Sequence, residues 1–194
     1  VDTTDLTFLL QQFEGFFERR SEMRYFTNSL FMLALECITK LYYAEKEDYA
    51  FKSIHDPFLD MLSQGFQVRE LAKFLFCDDP YGQKITVDTI GHAGSLEETA
   101  KRLNQEHAVI AQAAFSFQSL FVCADIIVKH GKIVDLYSVI SKKYSGHNSD
   151  LITQRGVRIH KEWVPIVYNL AYEKYVLMKA LSPRKIKVQA NLMQ

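Results

Sequence analysis

The chain has 194 residues, of which 48% are hydrophobic and 13% aromatic, with only 8 Gly and 4 Pro. This composition is typical of one globular domain and excludes disordered, collagen-like and low-complexity proteins. Lysine and arginine together number 23, as do aspartate and glutamate, so the formal net charge is zero. A surface that binds polyanions everywhere is therefore excluded, although a local basic groove stays open.

The first part of the chain, about 1–77, is predicted to be helical because its apolar residues recur at intervals of three and four. Ser29 is expected to cap the second helix. Asp56 and Pro57 are expected to start a third, and Gly65 to separate it from a helical stretch over 68–76. Residues 77–82 have the composition of a turn that ends this helical front.

The second part, about 84–194, is predicted to form the sheet-bearing core of the same domain. Ser95-Leu96-Glu97-Glu98 has the spacing of a capping box and is expected to open a helix that ends near Glu106. Three strands, then a helix and a last strand are expected to follow, at 108–117, 120–129, 133–141, 163–181 and 186–192. His130-Gly131-Lys132 reads as a tight hairpin turn, and Lys142 to Thr153 as a loop.

The three cysteines, Cys37, Cys77 and Cys123, are an odd number at wide spacings, which favours reduced thiols in a cytoplasmic protein. No iron–sulfur cluster is expected, because a cluster needs about four thiolates. No apolar run of ~18 residues and no signal-peptide pattern is present, so no membrane partner is expected. The first residue is Val1 rather than Met, which keeps open a hypothesis in which a neighbouring domain carries the function.

Asp125 lies in the apolar run Val122-Cys123-Ala124-Asp125-Ile126-Ile127-Val128. An unpaired charge inside such a strand is costly, so the carboxylate is expected to have a cation or a hydrogen-bonding network as its partner. The structural alternative is a solvent-facing aspartate at a strand edge.

Several segments resemble, in order, a RecB-like bacterial family of unknown function within the PD-(D/E)XK nuclease superfamily. LFVCADIIVK at 120–129 resembles that family's FVRADILVK, and VDLYSVIS at 134–141 resembles DLIEVKS. SLFMLALECITKLYY at 29–43 resembles SRFKLALECPTKLYY, GFQVRELAK at 65–73 resembles GGFQVGELAK, and AYEKYVL at 171–177 resembles AFQxYVL. The resemblance runs from about residue 25 to residue 193 and implies a restriction-endonuclease-like fold.

The resemblance implies metal-dependent phosphodiester hydrolysis on DNA, with a magnesium ion held by acids on two neighbouring strands and a Lys two positions beyond the second acid. Asp125 matches the first acid, but Ser138 stands at the second acid and Ile140 at the Lys. Gln112 stands where the family carries Glu in EAAF. Leu30 and Met32 also replace basic residues of the family.

These departures predict a catalytically degenerate nuclease fold, a pseudoenzyme that keeps a nucleic-acid or protein binding role and needs no cofactor. The alternative is an active nuclease with a migrated site. In that alternative Asp125 works with Asp135 or Glu173 and a lysine such as Lys142 or Lys143, and magnesium is required.

Five basic residues are candidates for contacts with a phosphate backbone: Arg155, Arg158, Lys161, Lys142 and Lys143. A solvated charged face is the structural alternative for this set. The sequence therefore predicts an α/β domain with a small mixed sheet, flanking helices and a nuclease-like pocket around Asp125.

Overall fold

The computed structural model describes residues 25–44, 68–76, 82–84, 87–142, 151 and 158–193. The helices are α1 (Asn28–Glu36), α2 (Ile38–Ala44), α3 (68–76), α4 (Val87–Arg102) and α5 (Val164–Leu181). The strands are β1 (Gly82–Lys84), β2 (His107–Phe117), β3 (Leu120–His130), β4 (Ile133–Val139) and β5 (Lys187–Met193). A short 3₁₀ turn, Ser182–Arg184, joins α5 to β5.

The strands form one mixed sheet in the order β1-β2-β3-β4-β5. The central meander β2-β3-β4 is antiparallel, whereas β1 pairs in parallel with β2 and β5 in parallel with β4. The helix α5 supplies the crossover that a parallel β4–β5 pair requires. The predicted α/β class, with a small mixed sheet and flanking helices, is thus confirmed.

The core has a larger and a smaller cluster of buried side chains. In the larger one, α1 and α5 meet the sheet, and the rings of Phe31 and Tyr172 stack with centroids 4.6 Å apart. The Tyr172 hydroxyl donates a hydrogen bond to the carbonyl of Phe26, which ties the start of the described chain to α5. The smaller cluster joins Ala72 of α3 to Val109, Ile126, Val128 and Val139 of the sheet.

The alternation of β2 and β3 shifts by one residue at the point where Gln112 and Asp125 face each other. In β2, Ile110 and then Ala113 contribute to the larger cluster, and in β3 Ala124 is followed by Ile127. The ladder pairs on either side are Ala111 with Ile126 and Ala113 with Ala124. Gln112 has φ 54°, so the backbone turns locally and redirects the side chains of both strands.

The predicted second-half elements are observed with small differences in their bounds. The meander, the turn at Gly131, the helix at 163–181 and the last strand are confirmed. The predicted third strand ends at Val139 rather than residue 141. The three-residue parallel strand β1 was not predicted, because so short a segment carries no readable alternation.

Two predicted helix caps are wrong. Thr27, not Ser29, caps α1, since its Oγ1 accepts a hydrogen bond from the backbone N–H of Leu30. Ser95 does not open its helix: α4 already begins at Val87 and ends at Arg102, and Ser95 Oγ donates to the carbonyl of Gly91. Gly91 has φ 67° and ψ 174°, so two helical stretches meet there in a kink, and the stretch that contains Ser95 starts after Gly91. The predictions for the first helix, for the helix start at Asp56-Pro57 and for the break at Gly65 lie outside the described residues, as does the turn at 77–82 apart from Gly82, which begins β1.

Thr99 links α4 to the sheet through its side chain. The residue is 1% exposed, and its hydroxyl donates to the carbonyl of Ser95 while accepting from the backbone N–H of Ala114 in β2. A buried N–H without a partner costs free energy, so this hydroxyl satisfies a strand donor that the helix backbone cannot reach.

We expect Thr99→Val to lower the free energy of unfolding by about 1–3 kcal/mol, because it leaves the N–H of Ala114 buried without an acceptor. Thr99→Ser keeps the hydroxyl and should cost less. Urea denaturation of the three proteins measures both changes. Equal losses for Val and Ser would show that the methyl group, not the hydrogen bond, stabilises this contact.

Candidate functional site

A pocket of about 650 Å³ opens where the start of α1, the helices α3 and α5, the first half of β3 and the C-terminal end of β4 converge. Its volume lies within the range of small-molecule and cofactor sites, ~300–1,000 Å³. Polar and charged groups from five separate segments face it, including Asn28, Arg69, Asp125, Ser138 and Glu173. These residues are far apart in the chain, and only packing of the helices on the sheet brings them together.

The four motif positions singled out in the sequence all line this pocket: Gln112, Asp125, Ser138 and Ile140. The register of β2 and β3 places Gln112 opposite Asp125. Ser138 directly precedes Val139, whose backbone N–H donates to Asp125. Asp135, one of the carboxylates of the migrated-site hypothesis, is not among the lining residues. It lies further along β4, paired with Val128 and Gln189.

Asp125 has two partners within the protein. Its Oδ2 accepts a hydrogen bond of 2.9 Å from the backbone N–H of Val139, and its Oδ1 lies 3.3 Å from Nε of Arg69. Burial raises the pKa of Asp125 above its ordinary value, and Arg69, the Val139 N–H and Lys73 act against that shift. The sequence predicted a cation or a hydrogen-bonding network as the partner of this charge. The structure provides both, the guanidinium of Arg69 and the backbone N–H of Val139.

The helix α3 carries the cationic side of the pocket, and the sequence interpretation did not single it out. Both Arg69 and Lys73 line the pocket, and Lys73, 8% exposed, pairs with Glu70 at 2.5 Å. The available signal was in the motif comparison: GFQVRELAK has Arg69 where the family motif GGFQVGELAK has glycine. The arginine thus stands at a position where the motif that it resembles has no side chain.

Glu173 is the second carboxylate of the pocket and belongs to α5. It is 3% exposed, and its Oε1 accepts hydrogen bonds of 2.9 Å from Nδ2 of Asn28 and Nδ2 of Asn169. Its Oε2 is buried and has no hydrogen-bond partner among the described residues. Burial, and after it the charge of Asp125, raises the pKa of Glu173 to about 8. Glu173 therefore carries a proton at neutral pH in this arrangement.

The residues at the motif positions do not fit a magnesium ion. Magnesium prefers several hard, anionic oxygen ligands in near-octahedral geometry. Here one oxygen of Asp125 is taken by the Val139 N–H, the other faces the Arg69 guanidinium, and Ser138 and Gln112 offer neutral oxygens only. Across the described part of the chain, no group of three or more His, Cys, Asp or Glu side chains could hold a metal ion.

The predicted phosphate-contacting residues are divided by the structure. Lys142 lines the pocket, where its Nζ lies 3.0 Å from Glu162 and 4.7 Å from the ring centre of Trp163. Arg158 and Lys161 are exposed in the segment before α5 and do not line the pocket. Arg155 and Lys143 lie outside the described residues. Of the three members that the structure describes, only Lys142 is brought to the pocket of Asp125.

Comparison of the chain with protein-family models, curated proteins and solved structures found no match. None of the described helices is both long and apolar enough to cross a membrane.

Gln112 has a left-handed backbone that favours glycine, so we expect Gln112→Gly to leave the free energy of unfolding unchanged or to raise it by up to about 1 kcal/mol. The matched control is Ala111→Gly, at a buried β2 position whose φ is not positive. This substitution should lower the free energy of unfolding by about 1 kcal/mol or more. Urea denaturation distinguishes the two. Equal destabilisation would show that Gln112 is held by its side-chain contacts.

We expect Glu173 to make the protein less stable as the pH rises. The folded state keeps the proton up to about pH 8, whereas the unfolded chain releases it near the ordinary value of 4.5. The folded state thus binds more protons between these values, so the free energy of unfolding falls with a slope of at most about 1.4 kcal/mol per pH unit. The loss is absent below about pH 4.5 and complete above about pH 8.

Glu173→Gln should remove this fall while keeping an oxygen that accepts from Asn28 and Asn169. Denaturation curves for both proteins at several pH values between about 4 and 9 measure the difference. A variant profile parallel to that of the unmodified protein would contradict the assignment, because the raised pKa of Asp125 contributes with the same sign in both.

Proposed function

We propose that this protein has a restriction-endonuclease-like fold of the PD-(D/E)XK type whose pocket has lost catalysis and retains a nucleic-acid binding role. The observation that carries the proposal is the ion pair between Arg69 and Asp125. The carboxylate that matches the first metal ligand of the related nucleases is neutralised by an internal guanidinium. A charge-neutral pair of this kind leaves little attraction for a second cation.

The other motif positions support the same proposal. Ser138 and Ile140 line the pocket beside Asp125, so the side chains that replace the second acid and the lysine are those that would meet a substrate there. A hydroxyl and an alkyl chain supply neither an anionic ligand nor a proton-transfer group. Ser138 and Ile140 therefore supply no group that hydrolysis of a phosphodiester would need.

Nucleic acid is the favoured ligand because three cationic side chains line the pocket, Arg69 and Lys73 from α3 and Lys142 just after β4. Each pairs with a carboxylate of the protein, with Asp125, Glu70 and Glu162 in turn, so a bound phosphate would exchange with these partners. Phosphate groups are bound by clustered lysine and arginine even where the whole protein is neutral. The exposed Arg158 and Lys161 extend this charge along the segment that leads into α5. A protein partner with an acidic segment is the competing occupant and is distinguished by the test below.

We expect a labelled oligonucleotide to bind with an affinity that falls as salt rises, and Lys142→Gln to weaken binding and to reduce the slope of log K against log salt by about 1. Fluorescence anisotropy with single-stranded and double-stranded DNA of equal length measures both quantities. The matched control is Lys101→Gln, since Lys101 is also paired with a glutamate at 3.0 Å but lies on α4, outside the pocket.

The same samples are tested for cleavage with magnesium and with manganese. The unmodified protein should not cleave, and the double substitution Ser138→Glu with Ile140→Lys should be needed before any cleavage appears. Absence of DNA binding at low salt would overturn the nucleic-acid role. Cleavage by the unmodified protein that disappears in Asp125→Ala would overturn the loss of catalysis.

A metal-dependent nuclease with a migrated site is the second candidate, and one observation favours it. Glu173 lines the pocket with Asp125, and its buried Oε2 has no hydrogen-bond partner among the described residues, so it offers a second carboxylate that ligates a metal ion if the ion displaces its proton. Under this candidate, cleavage is lost in Asp125→Ala and in Glu173→Gln but kept in Ser138→Ala. Under the degenerate proposal none of these proteins cleaves.

A further inference from the structure

Two exposed histidines face each other at the end of the β2–β3 ladder. His107 is the first residue of β2 and His130 the last of β3, and the two are direct partners in the strand register. Their Nδ1 atoms lie 3.2 Å apart and their ring centres 5.5 Å apart. Neither residue lines the pocket around Asp125, so the pair belongs to a separate surface of the molecule.

The backbone on both sides of this pair is held in place. The amine of Lys129, a residue that is 6% exposed, donates hydrogen bonds to the carbonyls of Gln105 and Glu106, just before His107. The N–H of Gly131, just after His130, donates to the same Glu106 carbonyl at 2.8 Å. The two imidazoles therefore project from a cross-linked strand end, and little ordering is required to hold them together.

The distance between the two Nδ1 atoms matches that between adjacent ligands of one transition-metal ion. Imidazole nitrogens bind such ions at about 2.0–2.1 Å. Two nitrogens 3.2 Å apart then subtend an angle of about 100° at the metal, between the right angle of octahedral or square-planar sites and the tetrahedral angle. The ring centres are 5.5 Å apart, so the two Nδ1 atoms point toward each other, and both rings must turn about their side-chain bonds to direct their lone pairs at one ion.

We propose that His107 and His130 chelate one divalent transition-metal ion through their Nδ1 atoms, with water completing its coordination. Imidazole ligands suit zinc, nickel and copper, and copper(II) should bind most tightly because it stands highest in the order of divalent metal affinities. The bound ion bridges β2 and β3, the first two strands of the meander. This site does not depend on the proposed function of the pocket.

The proton balance of this binding is simple when both rings are neutral. In the metal-free pair, one Nδ1–H donates to the other Nδ1 across the 3.2 Å separation. Metal binding needs both Nδ1 lone pairs, so the donor ring moves its proton to Nε2 through solvent. No oxidation or net proton release is required, and the exposure of both side chains gives solvent access to the rings.

Isothermal titration of the full chain with Ni²⁺ is the first test, with Zn²⁺ and Cu²⁺ as further probes. We expect one ion per chain. His107→Gln and His130→Gln should each weaken binding at least tenfold, and the double variant should be no weaker than either single variant, because loss of one ligand already removes chelation. His92→Gln, at a lone exposed histidine of α4, is the control and should bind as the unmodified protein does.

A second measurement tests whether the bound ion links β2 to β3. Nickel at about 100 times its Kd should raise the thermal midpoint by roughly 5–10 °C in the unmodified protein and in His92→Gln, and not in the two pair variants. Absence of binding at about 1 mM metal overturns the proposal. Binding that survives both substitutions, or that is lost with only one of them, also overturns it, since either result places the ion on other ligands such as the thiols of Cys37 or Cys123.

Discussion

The neutralisation of one carboxylate inside the central strand constrains much of this structure. Asp125 lies in β3, between two hydrogen-bonded neighbours, where an isolated negative charge is strongly disfavoured. Its Oδ2 accepts a hydrogen bond from the N–H of Val139 at the end of β4, and its Oδ1 forms an ion pair with the guanidinium of Arg69 from α3. The packing of α3 on the sheet and the position at which β4 stops pairing with β3 are thus both tied to this side chain.

The same charge acts on its surroundings. Burial of Glu173 in α5 and the negative charge of Asp125 both raise the pKa of Glu173, so its proton stays bound at neutral pH. Two buried carboxylates near one another ionise together only where a cation compensates them. At Asp125, Arg69 and Lys73 act against the effect of burial on the pKa, whereas at Glu173 burial and the charge of Asp125 outweigh Arg69, which accounts for a neutral Glu173 held by two asparagine amides.

The pocket and the histidine pair arise from one property of the meander, its strict register. A constant pairing of β2 with β3 places Gln112 opposite Asp125 in the middle of the ladder and His107 opposite His130 at its end. In the middle, the left-handed Gln112 interrupts the ladder, and it lines the pocket together with the acid. At the end, the unbroken register brings two imidazoles to chelating distance.

The sequence by itself determined the meander, its turn at Gly131, the long helix and the last strand, because strand alternation, helical periodicity and turn chemistry are local signals. It also singled out Asp125, whose charge conflicts with its apolar neighbours. It failed at the helix caps, where several residues compete within one turn. Only the tertiary structure assigned Arg69 to Asp125, placed Glu173 in the same pocket and paired His107 with His130, because these contacts join segments tens of residues apart and depend on packing and register.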